Sequence, residues 1–162
     1  MLAKFVLSFL LIIIIFGAAL YIEYYYAHQV RNAEEEIIEM NNFQEQLLNL
    51  EIDHLVWMTS LYEMMVGGEA PTLGDHTECN LGQWYYNISP EEYFREPYEA
   101  MEEPHRHLHS HGQEVVALFT GGEEEEARRV FNEEIKPDLN LVRENLGEMI
   151  SLTEAEIDEM KV

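Results

Sequence analysis

Eight residues between positions 40 and 64 recur at alternating intervals of three and four: Met40, Phe43, Leu47, Leu50, His54, Trp57, Leu61 and Met64. Helical backbone gathers such a set on one side, as a stripe that other helices must cover. His54 falls on that stripe, and Gly67-Gly68 ends the helix. A second seam runs through Ala127, Val130, Phe131, Ile135, Leu139, Val142, Leu146, Met149 and Ile157. It opens with Glu123 to Glu126, acids suited to the positive end of a helix dipole, and Pro137 should kink it. Between the two seams, a short helix is expected from near Cys79 toward Tyr86. Ser89-Pro90-Glu91-Glu92 reads as a helix start, with Ser89 as cap and Pro90 in the first position. Pro97 and Pro104 should interrupt the chain beyond it, before a helix that carries Leu108, Val115, Val116, Leu118 and Phe119 and closes at Gly121-Gly122. No alternating strand pattern of useful length occurs. The expected fold is all-α, an antiparallel bundle of about four helices.

The first two dozen residues stand outside that bundle. Phe5 to Ile22 is an apolar run broken only by Ser8, with Lys4 before it and Tyr21, Tyr24, Tyr25 and Tyr26 at its exit. Its length is about what a bilayer core asks of a helix, and tyrosines suit the membrane–water boundary. A cleaved signal peptide ending at Gly17-Ala18-Ala19 is the rival reading. The apolar run continues past that point through Leu20, Tyr21 and Ile22, which favours an uncleaved anchor. The expected organisation is a transmembrane helix over 1–23 and a helical domain over 24–162. Lys4 and the α-amino group precede the span, against Arg31 alone just beyond it. By the positive-inside rule the chain is then a single-pass membrane protein with its soluble domain outside the cytoplasm, in the periplasm.

A formal net charge of −23 excludes nucleic acid as a partner, because nothing here could neutralise a row of phosphates. It suits a field that concentrates cations, although solvated surface carboxylates account for most of it. The single cysteine rules out an internal disulfide and leaves Cys79 as a packed thiol, a reactive thiol or a metal ligand.

Residues 104–112, PHRHLHSHG, place a histidine at every second position. Zinc takes imidazole and thiolate, usually four in a tetrahedron, and histidines four apart on a helix share a face. Both His105/His109 and His107/His111 have that spacing. Helix phase does not choose between them, since the pairs lie almost symmetrically about the apolar direction of Leu108, Val115 and Phe119. His76 and His28 are expected at the surface.

Three segments together, DHLVWMTSLYEMM, DHTECNLGQWYYN and EEPHRHLHSHG, resemble the chemoreceptor zinc-binding (CZB) domain family. That family carries His-x-x-Trp, then Cys-x-Leu-Gly-x-Trp, then His-x-x-x-His. Here these are His54 to Trp57, Cys79 to Trp84 and a pair within the histidine run, over a core of about 50–119. The resemblance implies one zinc ion held by three histidines and the cysteine in an antiparallel helical bundle. The family's third motif follows a proline and has an apolar residue before its second histidine. Pro104 and Leu108 therefore match His105/His109, and the implied ligands are His54, Cys79, His105 and His109, with His107/His111 as the alternative pair. Trp57 and Trp84 are expected to pack around the site and shield it, and Leu81-Gly82 to let a helix backbone approach closely.

Four protein ligands leave no open position for an activated water, so no enzymatic activity is expected. The expected function is a membrane-anchored sensory domain, in keeping with the family's association with chemoreceptors, signal transduction, chemotaxis and redox sensing. It would respond to zinc or to oxidation of the zinc-bound cysteine. The membrane is engaged through the N-terminal helix, and the output partner would be a second copy of the chain or a signalling protein. The competing expectations are an extracytoplasmic zinc-buffering protein and a helical adaptor with a structural zinc.

Overall fold

A computed structural model describes residues 2–160; Met1, Lys161 and Val162, which the expected segments 1–23 and 24–162 include, lie outside the described residues. The described residues contain no strand. Their helices are α1 (Leu2–Met65), α2 (Asn80–Tyr85), α3 (Arg95–Thr120), α4 (Glu124–Val130) and α5 (Lys136–Met160). A 3-10 turn at Glu92–Phe94 leads into α3, and a π-helical turn at Phe131–Ile135 joins α4 to α5 without a break. The all-α bundle with a long apolar helix at its start is the architecture the seams require.

The chain divides into two compact units, Met1–Asn41 and Asn42–Val162. In the first, the side chains of Phe5 to Ile22 are exposed. This stretch of α1 is long and apolar enough to cross a membrane. The expected boundary after residue 23 falls inside α1 and inside the first of these units.

In the second unit the two seams form the core. Leu47, Leu50, His54, Leu61 and Met64 of α1 are buried, with Phe43 and Trp57 half-buried. All nine residues of the second seam, Ala127 to Ile157, are buried. Met101, Leu108 and Val115 of α3 complete the same cluster. Polar pairs fix the packing at its edges. Arg143 Nε donates to Glu51 Oε1 (2.6 Å), Gln44 Nε2 donates to the Ile150 carbonyl (3.2 Å), and His111 Nδ1 lies 3.1 Å from Asp138 Oδ2. The first two tie α1 to α5, and the third ties α3 to α5. At the end of α1, Gly67 takes φ +108°, a left-handed backbone that a side chain would oppose. Its amide and that of Gly68 cap the carbonyls of Met64 and Glu63.

Two local expectations need correction, and a third gains a mechanism. Pro97 and Pro104 do not interrupt the chain, because α3 runs as one helix of 26 residues through both. Pro97 sits in the first turn, where the missing amide has no intrahelical partner to lose. Pro104 is buried inside the helix, and the cost of an interior proline, about 3 kcal/mol, is offset by the long apolar contact of α3 with α5. Ser89 is not the helix cap. The helical path begins at Glu92, where the turn buries Phe94 in a stacked contact with Phe43 (5.2 Å). Pro137 is accommodated by the π turn before it, in which the Lys136 amide reaches back to the Phe131 carbonyl. Widening one turn makes room for the ring that would otherwise meet a carbonyl four residues earlier.

Candidate metal centre

Three of the four candidate ligands, His54, His109 and Cys79, are aimed by backbone hydrogen bonds. On α1, His54 Nδ1 lies 2.9 Å from the Leu50 carbonyl one turn earlier. A carbonyl only accepts, so the ring carries its proton at Nδ1 and presents a bare Nε2 to the interior. On α3, His109 Nδ1 donates in the same way to the Gly74 carbonyl (3.0 Å). These two outer hydrogen bonds select the tautomers that a metal requires.

Cys79 arrives from a loop built around Asp75. The Asp75 carboxylate accepts from the Thr77 amide (2.9 Å) and hydroxyl (2.7 Å), and those bonds hold its carboxyl down to about 2. The Glu78 amide donates to the Asp75 carbonyl (3.0 Å), which closes the turn one residue before the cysteine. Cys79 then caps α2, its Sγ accepting from the Gly82 amide (3.2 Å). Gly82 is obligatory there, because a Cβ would lie 1.8 Å from the His76 carbonyl oxygen. A second glycine, Gly112, makes room for Trp57. A Cβ at that position would lie 2.4 Å from the indole Cη2, and the indole in turn packs at 5.3 Å on the His109 ring.

These elements converge at one point. His54 Nε2 and His105 Nε2 are 3.1 Å apart, Cys79 Sγ lies 3.3 Å from His105 Nε2 and 3.8 Å from His54 Nε2. The donor atoms of His54, Cys79, His105 and His109 all fall within 4.8 Å of one another. Zinc bond lengths place tetrahedral nitrogens about 3.3 Å apart, and nitrogen and sulfur about 3.6 Å apart. The His54–His105 edge is close to the first value, and the two edges from Cys79 Sγ bracket the second. Each of the three histidines is only 3% exposed, and Cys79 is half-buried.

The charge state of the site fits a cation as well as its geometry does. Burial lowers the pKa of His54 from the ordinary 6.5 despite the Leu50 carbonyl. Burial, then the neighbouring imidazoles of His54 and His109, hold His105 down to about 2. His109 is likewise lowered, chiefly by burial. Burial also pushes the Cys79 thiol above 9.0, against the amide hydrogen bonds that favour a thiolate. Burial therefore favours neutral imidazoles, and the Leu50 and Gly74 carbonyls turn the Nε2 lone pairs of His54 and His109 inward. His109 Nε2 is buried with no hydrogen-bond partner, an omission that costs about 1–3 kcal/mol and that a metal ion would remedy. The residues present fit zinc in number, chemistry, spacing and tautomer.

The other sequence candidates lie elsewhere. His107 is half-buried beside Glu103 (3.9 Å) and His111 is engaged with Asp138, so the alternative pair is turned away from His54 and Cys79. His28, on the first unit's stretch of α1, is exposed beside Tyr24. His76 is not the surface residue expected. It is half-buried, paired with Asp75 (3.2 Å) and set against the rings of His105 (6.0 Å) and Tyr86 (6.1 Å). Its carbonyl accepts from the Cys79 thiol (3.3 Å). Leu81 and Trp84 are buried core residues of α2, Trp84 against Phe43 (6.2 Å) and Tyr98 (5.9 Å). Gly74, Asp75 and Gly112 were not singled out by the motifs. A glycine three residues after a helical histidine was a legible sign of close approach, whereas the Gly74 carbonyl had no sequence mark.

Residues 54–116 match the family model of the chemoreceptor zinc-binding domain, CZB. Over that segment the chain is similar to the CZB family. All four clustered donors fall inside the matched segment, and zinc is the ion for which the domain is built. No curated protein and no solved structure matches the chain. The CZB match begins at His54 itself, so the apolar N-terminal segment and α5 lie outside it.

Proposed function

We propose that this chain is a membrane-anchored zinc-binding sensory protein, with His54, Cys79, His105 and His109 as the ligands and with no catalytic role. The observation that carries the reading is the bare, buried Nε2 of His109 among three other donors drawn from separate parts of the chain. Zinc, when bound, supplies one cross-link among these elements and keeps the cysteine as a thiolate. His54 then ties α1 to the cluster, Cys79 ties the Asp75 loop and α2, and the pair on α3 supplies the other two bonds. Loss of any one ligand returns buried polar groups to an unpaired state, so occupancy is coupled to helix packing.

Cys79 is the most exposed of the four donors and the only one open to oxidation. Oxidation of its sulfur weakens coordination and gives the same packing change as metal loss. α1 carries both His54 and the apolar stretch that anchors the chain in the membrane, and the positive-inside bias of Lys4 puts the sensory domain in the periplasm. A second copy of the chain or a signalling protein receives the change.

The test is metal analysis of the full chain in detergent, wild type beside Cys79→Ala. One tightly held zinc per chain in the wild type and none in the variant supports the reading. Stoichiometric zinc in Cys79→Ala refutes the ligand set, and many weakly held ions favour a buffering protein instead.

A further inference from the structure

The centre is closed by helices on most sides but open on one. A cavity of about 250 Å³ has His54, Cys79 and His109 in its lining, together with Asp53, Glu78 and Asn80. The histidines are buried and Cys79 is half-buried, whereas the other three are exposed, so the ligands form its floor and the two carboxylates its rim. Asn80 Nδ2 donates to Asp53 Oδ2 (2.7 Å), which holds that carboxylate in place. Asp53 and Glu78 each directly precede a ligand, so the backbone that places His54 and Cys79 also places the acids above them. Among the described residues no lysine or arginine lines the cavity. His109, whose Nε2 is buried without a hydrogen-bond partner, is one of the lining residues, and its lone pair receives a cation and repels an anion.

We propose that this cavity is a cation-selective vestibule. Asp53 and Glu78 draw hydrated zinc toward the donors and hold anionic reagents away from the Cys79 sulfur; the metal-delivery half of this role rests on the ligand assignment proposed above. The focusing follows from two like charges on a concave, partly apolar wall. The remaining acidic surface adds little at ordinary salt, because charges beyond a Debye length of about 10 Å are screened. Carboxylate oxygens are also ligands that zinc accepts, so the rim can replace water before imidazole and thiolate do. For sensing, the consequence is a preference for neutral or cationic molecules at Cys79, whatever their intrinsic reactivity.

The experiment uses the single cysteine as its reporter, on the metal-free full chain in detergent. Methanethiosulfonates bearing a trimethylammonium or a sulfonate group react alike in kind: the Cys79 sulfur forms a disulfide with the reagent's thio sulfur, and methanesulfinate leaves. The rate ratio, cationic over anionic, is normalised to that of a small neutral thiol. A ratio of about ten or more is expected in the wild type and in a control with Glu144→Gln and Glu148→Gln on α5. The ratio should collapse toward unity in Asp53→Asn/Glu78→Gln, with circular dichroism showing the variant folded. Zinc uptake, followed with a fluorescent indicator, should slow by about tenfold in the same variant and lose most of its salt dependence. A wild-type ratio near unity, or one that the double substitution leaves intact, overturns the vestibule without touching the ligand assignment. A preserved charge preference in a chain that takes up no zinc overturns the ligand assignment, and with it the delivery role.

Discussion

Gly82→Ala isolates how the cysteine is held. A Cβ at this position would stand 1.8 Å from the His76 carbonyl oxygen, and 2.8 Å from both the His76 carbonyl carbon and the Thr77 Cα. Ordinary carbon–oxygen contact is about 3.3 Å, so backbone must move by roughly 1.5 Å. No side-chain rotation relieves the clash, because every atom met is main chain. The segment that moves includes the turn before Cys79, and the Gly82 amide itself donates to Cys79 Sγ. Metal sites tolerate ligand displacements of only about 0.2 Å. The substitution should therefore cost about 3 kcal/mol of stability, the upper end for overpacking, and weaken zinc binding by about a hundredfold, the upper end for a lost outer contact. The assays are thermal unfolding by circular dichroism and zinc competition titration. Gly147→Ala serves as the control, since its Cβ meets nothing within 4 Å and a helical alanine should stabilise by up to about 1 kcal/mol. Wild-type zinc affinity in Gly82→Ala would show that the close approach of α2 to the loop does not position the sulfur.

Among the histidines, His109→Ala should abolish tight zinc binding, while His107→Ala and His111→Ala should leave it within about twofold; loss with His107→Ala instead would place the metal on the other pair. The metal-free chain should lose stability in acid. The three site histidines have folded pKa values below 6.5, so the unfolded chain binds more protons beneath that value. Their contribution is complete above about pH 6.5 and declines as the pH falls, by about 1.4 kcal/mol per pH unit for His105 alone. The Cys79 thiol is raised, so its contribution is present below about pH 9 and lost above it. Urea midpoints of the metal-free chain that do not fall between about pH 7 and 5 would contradict the burial of neutral imidazoles.

Much of this was legible in the residues, and the failures have physical causes. Seams at intervals of three and four marked the buried faces of α1 and of α4–α5, because helical burial is set by period alone. The proline positions misled, since propensity was weighed without the tertiary contact that carries α3 through Pro104. The cap at Ser89 failed for a similar reason: Phe94 is drawn into the core beside Phe43, and the turn forms around it. For the site, the resemblance to the CZB family marked His54 and Cys79 and, through Pro104 and Leu108, His105/His109, while periodicity left the two histidine pairs equal. What separates the pairs is the register of α3 against α1, a property of three-dimensional packing that neither pair encodes locally. The Leu50 and Gly74 carbonyls, which fix the ring tautomers, are invisible to any side-chain pattern.

X-ray absorption at the zinc edge of the metal-loaded full chain tests the central claim most directly. Three nitrogens at about 2.0 Å and one sulfur at about 2.3 Å are the expected shell, with no oxygen from solvent. A shell without sulfur, or one of five or six light atoms, would contradict a centre closed by His54, Cys79, His105 and His109.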